Sequence, residues 1–594
     1  MKKIFIALFV LASVALTGCK DFLEETAYDQ FSKEEAFKTP TLVYLNTVAS
    51  IYTNMGATGV VYTDPIRYLY VSEFSSDLAV VPGRGGDWVD GGLHQRCFLH
   101  TWTNSWDVFL GVWNDTFKMI GLCNSAIADL QEMLDAGGED FLQDYINEVR
   151  AIRVYYYYHA VNHFGRVPLV TKPDQTAAAM GQSERSVVYK WMCDEMCEII
   201  PTLSLEKATT EGGDYYGRFN KATGYFLLAK LAINSGVFAE DVWWDGKFNG
   251  GVDAVSPGVT AKGKSVTFNL ENKSMNAWET VIYCQEQLAA MGYTLDATSG
   301  GKFLVGNETS KENIYVRPND VTNYRLRQLY ANYSYHNQHG RAFAGWFTSN
   351  GPVATVYAAH LFGGKATLNE ETWVYDEDWS EADPRWDEFC IYGPVIIDGV
   401  QVPSGEAAPW DKGEYLTFWA LNDYDPTIFG EGYKRFIQKW GGARIKKIAL
   451  DKSDQHQFIW HYTNADMVVY HYAEALLLAA EAYMRLGNEA KALELVNKVR
   501  ARSGAPLRDH MNLQLILDER GLELMWEPTR REDLVRFGMY NEPTEDKNEN
   551  TPYAIAAAPW TYDAAGYHNV FPIPTEIMNL NASFTQNKGY ENNN

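Results

Sequence analysis

Apolar residues recur at three- and four-residue steps through Asp466–Gly538, at Val469, Ala473, Leu477, Ala480 and Met484. That spacing places them on one face of an α-helix. Gly487 and Asn488 break the run, and a second helix is predicted beyond them, with Ala492, Leu493, Leu495 and Val496 turned back on the first. A loop then leads to LQLILDERGLELMWEPTRREDLVRFG, which is again helical in pattern.

Small residues at Ala473, Ala480 and Ala492 let the two backbones approach closely, and Tyr483, Gly487 and Ala492 fall at the Tyr, Gly and Ala positions of a tetratricopeptide-type unit. One such pair cannot bury its own face, so the chain needs neighbouring pairs. The same periodicity predicts helices over Leu42–Tyr52, Trp106–Met133, Phe141–Phe164, Ser186–Ile200, Lys221–Ser235 and Trp278–Met291. Gly165 and Pro168 end the second long one.

Elsewhere the period is lost. Val71–Leu99 reads as loop. Val237–Ala277 and Gly292–His456 are rich in Gly, Asn, Asp and aromatics, with only short alternating pieces such as Lys311–Pro318. They are too long for plain connections and read as a second lobe. The expected fold is mainly α: a tetratricopeptide-type superhelix packed against an irregular, loop-rich lobe with short strands. Helix pairs at 106–164, 186–236 and 466–526 build the first lobe, and 292–456 most of the second. By segment, 1–18 is a signal peptide and 19–40 a tether. Residues 41–236 are the N-terminal helical part, with an inserted binding loop at 71–105. Residues 237–456 are the irregular ligand-binding lobe, including a helix at 278–291, and 457–594 hold the C-terminal repeat and a packed tail.

Composition changes this picture in three ways. A net charge of −25 and a pI near 4.9 disfavour nucleic acid and direct adsorption to an anionic bilayer. With 18 Trp and 37 Tyr, the chain has more large aromatics than a core requires, which points to an aromatic binding surface. Lys2 and Lys3 precede the apolar run Ile4–Leu16, and Leu16-Thr17-Gly18-Cys19 closes it. The run is too short to span and has the layout of a secretory signal. Its ending resembles a bacterial lipobox, which would leave Cys19 diacylated and stably anchored. The other six cysteines (Cys97, Cys123, Cys193, Cys197, Cys284 and Cys390) form no C-x2-C pair and read as buried thiols.

Several catalytic readings fail on residue chemistry. Gly83, Gly85 and Gly86 lack the Lys-Ser/Thr of a phosphate loop. His159 and His163 share a helix face, but Ala160 stands where a metalloprotease needs Glu. Glu519 and Glu523 could pair as acid and base. Arg520, Arg530, Arg531 and Arg536 crowd them, however, and ion pairing lowers carboxylate pKa values below what a general acid needs. No G-x-S-x-G elbow is present.

The ordered motifs resemble the SusD/RagB family of outer-membrane nutrient-binding lipoproteins of Bacteroidetes. They are the lipobox at Cys19, then EVRAIRVYYYYHAVNHFGRVPLV (148–170) and Asp383-Pro384-Arg385. The helix from Tyr472 to Ala482 follows, then Glu519, Arg520, Glu523, Glu527, Arg530, Asp533, Arg536 and Gly538, and the FPIPTEIMNLNASFTQNKGY terminus. His471 stands where the family usually has Arg, and Pro528-Thr529 where it usually has Gly-His. The resemblance implies a non-enzymatic, lipid-anchored, surface-facing outer-membrane protein. Such a protein captures glycan over a SusC-like TonB-dependent transporter and serves as its lid. It implies no cofactor and leaves a loop-holding calcium open. Lys20-Asp21-Phe22-Leu23-Glu24-Glu25 resembles the surface-export signal of these bacteria.

Sugars present flat C–H faces rimmed by hydroxyls, which aromatic rings and Asn, Asp or Arg suit. The loop before Trp106 offers Asp87, Trp88, Trp102 and Asn104, and the second lobe offers Tyr324, Tyr333, Tyr335, Arg341 and Trp346. The acidic chain favours a neutral glycan. Peptide capture for import and a surface polysaccharide hydrolase stay open as alternatives. Glu519, Arg520, Glu523, Glu527, Arg530, Asp533 and Arg536 are expected to form a structural ion network.

Overall fold

The computed structural model describes residues 37–57, 68, 70–84, 88, 90–319, 334–344, 348–369, 374–405, 415–421, 439–448, 464–548, 553 and 560–591. The expected signal segment and Cys19 lie outside this range. The chain divides after Ser50 into a short unit and a large one. In the short unit the Pro40–Asn46 helix opens on Thr39, whose hydroxyl accepts from Leu42 N–H, with proline at its first position.

In the large unit the long helices form one continuous stack. Asp107–Asp135 packs on Phe141–Phe164, which packs on Arg185–Ile199. Lys221–Ile233, Ala277–Ala290, Tyr472–Arg485 and Glu489–Arg502 follow, each packed on the one before. The Phe141–Phe164 helix is buried on nearly every side, its Tyr155–Tyr158 run included, because it lies inside the stack. Arg150 and Arg153 clamp it to the next helix. Arg150 pairs with Glu195 and Glu198 at 3.0 Å each, and Arg153 with Glu195 at 3.3 Å.

Two expectations need correction. Val237–Ala277 is not irregular: it holds a helix, Val252–Ser265, and a hairpin of Thr267–Leu270 with Lys273–Asn276. Pro257, Gly258 and Gly263 lower the local helix propensity that sequence reading relies on, and packing overrides it. The helical run also does not begin at Asp466. Met467–His471 is a strand, paired antiparallel with Asn313–Arg317, and both are buried throughout. The second strand lies within the alternating Lys311–Pro318 piece. Val469 therefore belongs to a sheet, where its β-branched neighbourhood suits it, and the helix starts at Tyr472. It ends at Arg485, and Asn488 caps the next helix by accepting from Lys491 N–H at 3.2 Å.

The second lobe is built of two-stranded ribbons. Ala79–Val80 pairs with Val353–Ala354, Cys390–Ile391 with Arg444–Ile445, and Gly393–Pro394 with Thr417–Phe418. Val395, Val402, Leu416, Phe418 and Trp440 form its apolar centre. The C-terminal segment laps back over the Phe141–Phe164 helix. Phe571 N–H donates to His163 O at 2.7 Å, and Asn587 Nδ2 donates to Phe164 O and Phe571 O. The six described cysteines are free thiols. No helix among the described residues is long and apolar enough to cross a membrane.

Candidate functional site

The Leu513–Leu524 and Arg530–Phe537 helices carry charges that are buried and paired. Arg385 reaches Glu519 at 2.8 Å and Glu523 at 3.1 Å while its other nitrogens grip Asp383 at 2.9 and 2.7 Å. Arg502 adds 2.5 Å to Glu523, and Arg500 2.6 Å to Glu519. Arg520 and Arg536 share Asp533 at 2.7 and 2.6 Å, and Arg536 also holds Glu481 at 2.8 Å. Burial opposes ionisation of Glu523 and Asp533. Arg502, Lys302 and Arg385 overcome it at Glu523, and Arg520 and Arg536 at Asp533, where the pKa falls to about 2. Glu519 and Glu523 have fully buried side chains, so they face cations rather than a substrate. Asp383-Pro384-Arg385 thereby fastens the second lobe to the helical stack.

His471 takes part in the same buried system, 2.8 Å from Glu527 and 3.4 Å from Glu312. Burial disfavours the imidazolium, but Glu527 outweighs it and the pKa rises above the ordinary histidine value. A base with a raised folded pKa stabilises fully below its unfolded pKa, and that stabilisation is lost as pH rises through the folded one. The advantage of wild type over His471→Gln should thus be greatest below the ordinary value of 6.5 and shrink in alkaline solution. Urea midpoints from about pH 5 to about pH 9 read this directly. A constant difference would mean that His471 is not charged.

The network also anchors the root of the 71–105 segment. Arg530 grips Asp77 with two bonds of 2.8 and 2.9 Å, and Trp526 N–H donates to the buried Glu73 at 3.3 Å. Pro528-Thr529 therefore does not disturb Arg530. Seven residues beyond Asp77, the fully buried Arg84 donates to Gly441 O at 2.9 Å and Gly351 O at 3.3 Å. Arg444 donates to Asn350 Oδ1 at 2.8 Å, which fixes the same strip from the other side.

Trp88 stands on this strip. It is half-buried, and its backbone is left-handed, with φ of 58°. A bulky residue there costs about 1–3 kcal/mol and persists only where the surroundings hold it, which is typical of ligand sites. Here the indole N–H donates to Ser349 O at 2.6 Å, and His94 meets the ring edge-on at 4.9 Å. Gly351 lies under the ring; a Cβ there would come 2.7 Å from it.

The other proposed contacts divide. Trp102 is only 4% exposed. It packs against Phe571 at 5.0 Å and Phe109 at 5.8 Å, and its N–H donates to Tyr590 Oη at 3.1 Å. Asn104 is buried and donates to Tyr590 O at 3.0 Å. Tyr335 is buried and stacked on His339 at 4.3 Å. Burial under the C-terminal segment gives Trp102 and Asn104 a structural role instead of the expected surface one, and Tyr335 stands inside the lobe rather than on an open platform. The returning C-terminus covers the first two, a contact 486 and 488 residues away in sequence. Arg341 is exposed on the Asn337–Ala344 helix. Asp87, Tyr324, Tyr333 and Trp346 lie outside the described residues. Sequence reading missed Asp77, Arg84 and Ser349, and no local pattern marks them. His159 and His163 are packed in the core, where burial holds both imidazoles neutral. Among the described residues no group of three or more His, Cys, Asp or Glu converges as a metal site.

A tetratricopeptide-type stack, clamped by buried ion pairs to a ribbon-built lobe, defines the class of scaffold: the SusD-like fold. Comparison with known proteins agrees. A solved surface glycan-binding protein A from Bacteroides thetaiotaomicron, in complex with laminarihexaose, matches with a TM-score of 0.60 at 18% identity, over 91% of this chain and 98% of that one. A SusD-like protein of Formosa agariphila is 23% identical over 500 residues, covering 80% of this chain and 79% of the relative. The starch-binding protein SusD of Bacteroides thetaiotaomicron is 33% identical over 131 residues, 22% of this chain and 22% of that protein's length. The SusD family model matches residues 427–590. The protein is SusD-like, in fold along the chain and in family sequence over its C-terminal part.

Proposed function

We propose that the protein captures a neutral oligo- or polysaccharide at the cell surface. It then delivers the glycan to a partner SusC-like TonB-dependent outer-membrane transporter, acting as its lid. The observation that carries this reading is Trp88, a half-buried indole with a left-handed backbone, held by Ser349 and seated over Gly351. A fixed ring of this kind loses little entropy on stacking against a sugar face. The starch-binding protein SusD and the surface glycan-binding protein A seen with laminarihexaose, which this chain resembles, support the same class of ligand. Burial of Glu519 and Glu523 among arginines supports capture by binding over hydrolysis at that carboxylate pair. A screen of the full chain by affinity electrophoresis should show retardation by at least one neutral polysaccharide and none by a sulfated one. Retardation by no neutral glycan in a broad panel would overturn the reading.

Anchoring belongs to the same proposal: Cys19 carries the lipid that holds the protein on the outer face of the outer membrane. Cys19→Ala should release the protein into the soluble fraction, measured by blotting washed membranes. Full retention after a high-salt wash would refute lipid anchoring at Cys19.

A further inference from the structure

A second aromatic surface lies in the other lobe, at Trp379 and Tyr392, and sequence reading did not mark it. Trp379 stacks in parallel on the buried Trp386, with centroids 4.7 Å apart and planes 9° apart. Its N–H donates to Glu377 at 3.2 Å, and Glu377 is itself fixed by Leu421 N–H at 2.7 Å. Gly364 lies against the far end of the indole, where a Cβ would come 2.6 Å from the ring. Three of the ring's sides are thus occupied, yet Trp379 keeps part of its surface in solvent. Tyr392, also half-buried, meets it at 4.8 Å with a tilt of 51°.

Polar groups rim these rings. Tyr392 Oη donates to the exposed Asp387 at 2.6 Å, and Lys446 Nζ donates to the Asp387 carbonyl at 2.5 Å. Behind Tyr392 opens a cavity of about 450 Å³, lined by Tyr335, His339, Ile391, Val395, Ile397 and Lys446 among others. That volume lies within the range of small-ligand sites. It also gives Tyr335 a place beside a ligand space even though the residue is buried. Residues 334–344 and 348–350 together serve both surfaces, since Ser349 holds Trp88 and Tyr335 lines this cavity.

We propose that Trp379, Tyr392 and the cavity behind Tyr392 form a second saccharide subsite, distinct from the Trp88 surface, that takes an uncharged pyranose unit. A locked, partly open indole beside a tilted phenol offers apolar area to the C–H face of a sugar ring. Asp387 and Lys446 at the edge supply an acceptor and donors for its hydroxyls. The carboxylates of Glu377 and Asp387 at the rim disfavour uronic or sulfated units. Two subsites on one chain raise avidity for a polymer above that for a short oligosaccharide.

This inference rests on the glycan-capture reading, and one experiment separates them. Full-chain wild type, Trp379→Ala, Trp88→Ala and the double variant are run in affinity gels. The gels contain laminarin, starch, xylan, mannan or cellulose ether, and each variant is also melted. The expected result is about tenfold weaker polymer binding or more for Trp379→Ala, with a melting midpoint near wild type and a further loss in the double variant. If Trp379→Ala does not fold, Tyr392→Ala and Asp387→Ala are scored in the same way. Wild-type affinity in the folded Trp379 or Tyr392 variants, with loss in Trp88→Ala, would overturn the second subsite and leave glycan capture standing. No binding of wild type to any of the five polymers would overturn both.

Discussion

Glu523→Ala should destabilise the protein by about 3–5 kcal/mol, the cost of stranding a buried charge. Glu523 sits between Arg502 at 2.5 Å, Arg385 at 3.1 Å and Lys302 at 3.5 Å, with both Glu523 and Arg385 fully out of solvent. Removing it leaves three cations converging on an empty volume. Lys302 and Arg502 retain Glu312, each at 2.9 Å, and Arg385 retains Glu519 and Asp383, so the loss is large but partial. Glu523→Gln should cost less, because it keeps the shape and a hydrogen-bond acceptor. Urea unfolding followed by tryptophan fluorescence measures both. A loss below about 1 kcal/mol for Glu523→Ala would mean that the pairing does not hold the two lobes together. The variant also bears on the hydrolase alternative, since a carboxylate serving catalysis would lose activity while the fold stayed intact.

Trp88→Ala and Trp102→Ala should part company. Trp102, at 4% exposure and packed against Phe571, His568 and Phe109, should cost about 3–5 kcal/mol of stability, as large aromatic truncations in cores do. Its effect on ligand binding in the folded fraction should be small. Trp88 should behave in the opposite way. Truncating a central aromatic contact costs about 2 kcal/mol or more of binding, roughly thirtyfold in affinity. The melting midpoint should fall little, because the indole is only half-buried; alanine keeps Cβ and with it the left-handed strain, so none is relieved. Calorimetric titration with the retarding glycan, paired with a melt of each variant, gives the four numbers. Unchanged affinity in Trp88→Ala would move the principal contact off this strip.

The charged signature shows how far sequence reaches. Crowding of Glu519, Arg520, Glu523, Arg530, Asp533 and Arg536 within two short helices is enough to infer ion pairing, because that many charges cannot be buried unpaired, but Glu519 and Glu523 are held by Arg385, Arg500, Arg502 and Lys302 rather than by the arginines beside them. The partners were not legible. Arg385, Arg500, Arg502, Glu481 and Asp77 come from other elements, brought together only by the packing of the stack. The same division appears in the aromatics. Trp88 lies among Gly and Asp and Trp102 among Thr, Asn and Ser, both loop-like surroundings, yet one is strapped over Gly351 and the other roofed by Tyr590. Trp379 has no local feature that marks it; its orientation depends on Trp386, Gly364 and Glu377.

By itself the sequence determined the helical lobe, since the 3.6-residue apolar period is a local property that survives without knowledge of neighbours. It also determined the sign of the net charge and that the signature residues are ion-paired, although only Arg520 and Arg536 with Asp533 pair inside the signature itself. Tertiary structure decided the strand at Met467–His471, the helix at Val252–Ser265 and the choice of which aromatic rings meet solvent. Each of these depends on contacts distant along the chain: strand pairing with Asn313–Arg317, packing against the helical stack, and the return of the C-terminus over Trp102. Burial is a property of what covers a residue, and for Trp88 and Trp102 the covering groups, Ser349 with Gly351 and Tyr590 with Phe571, come from elsewhere in the sequence.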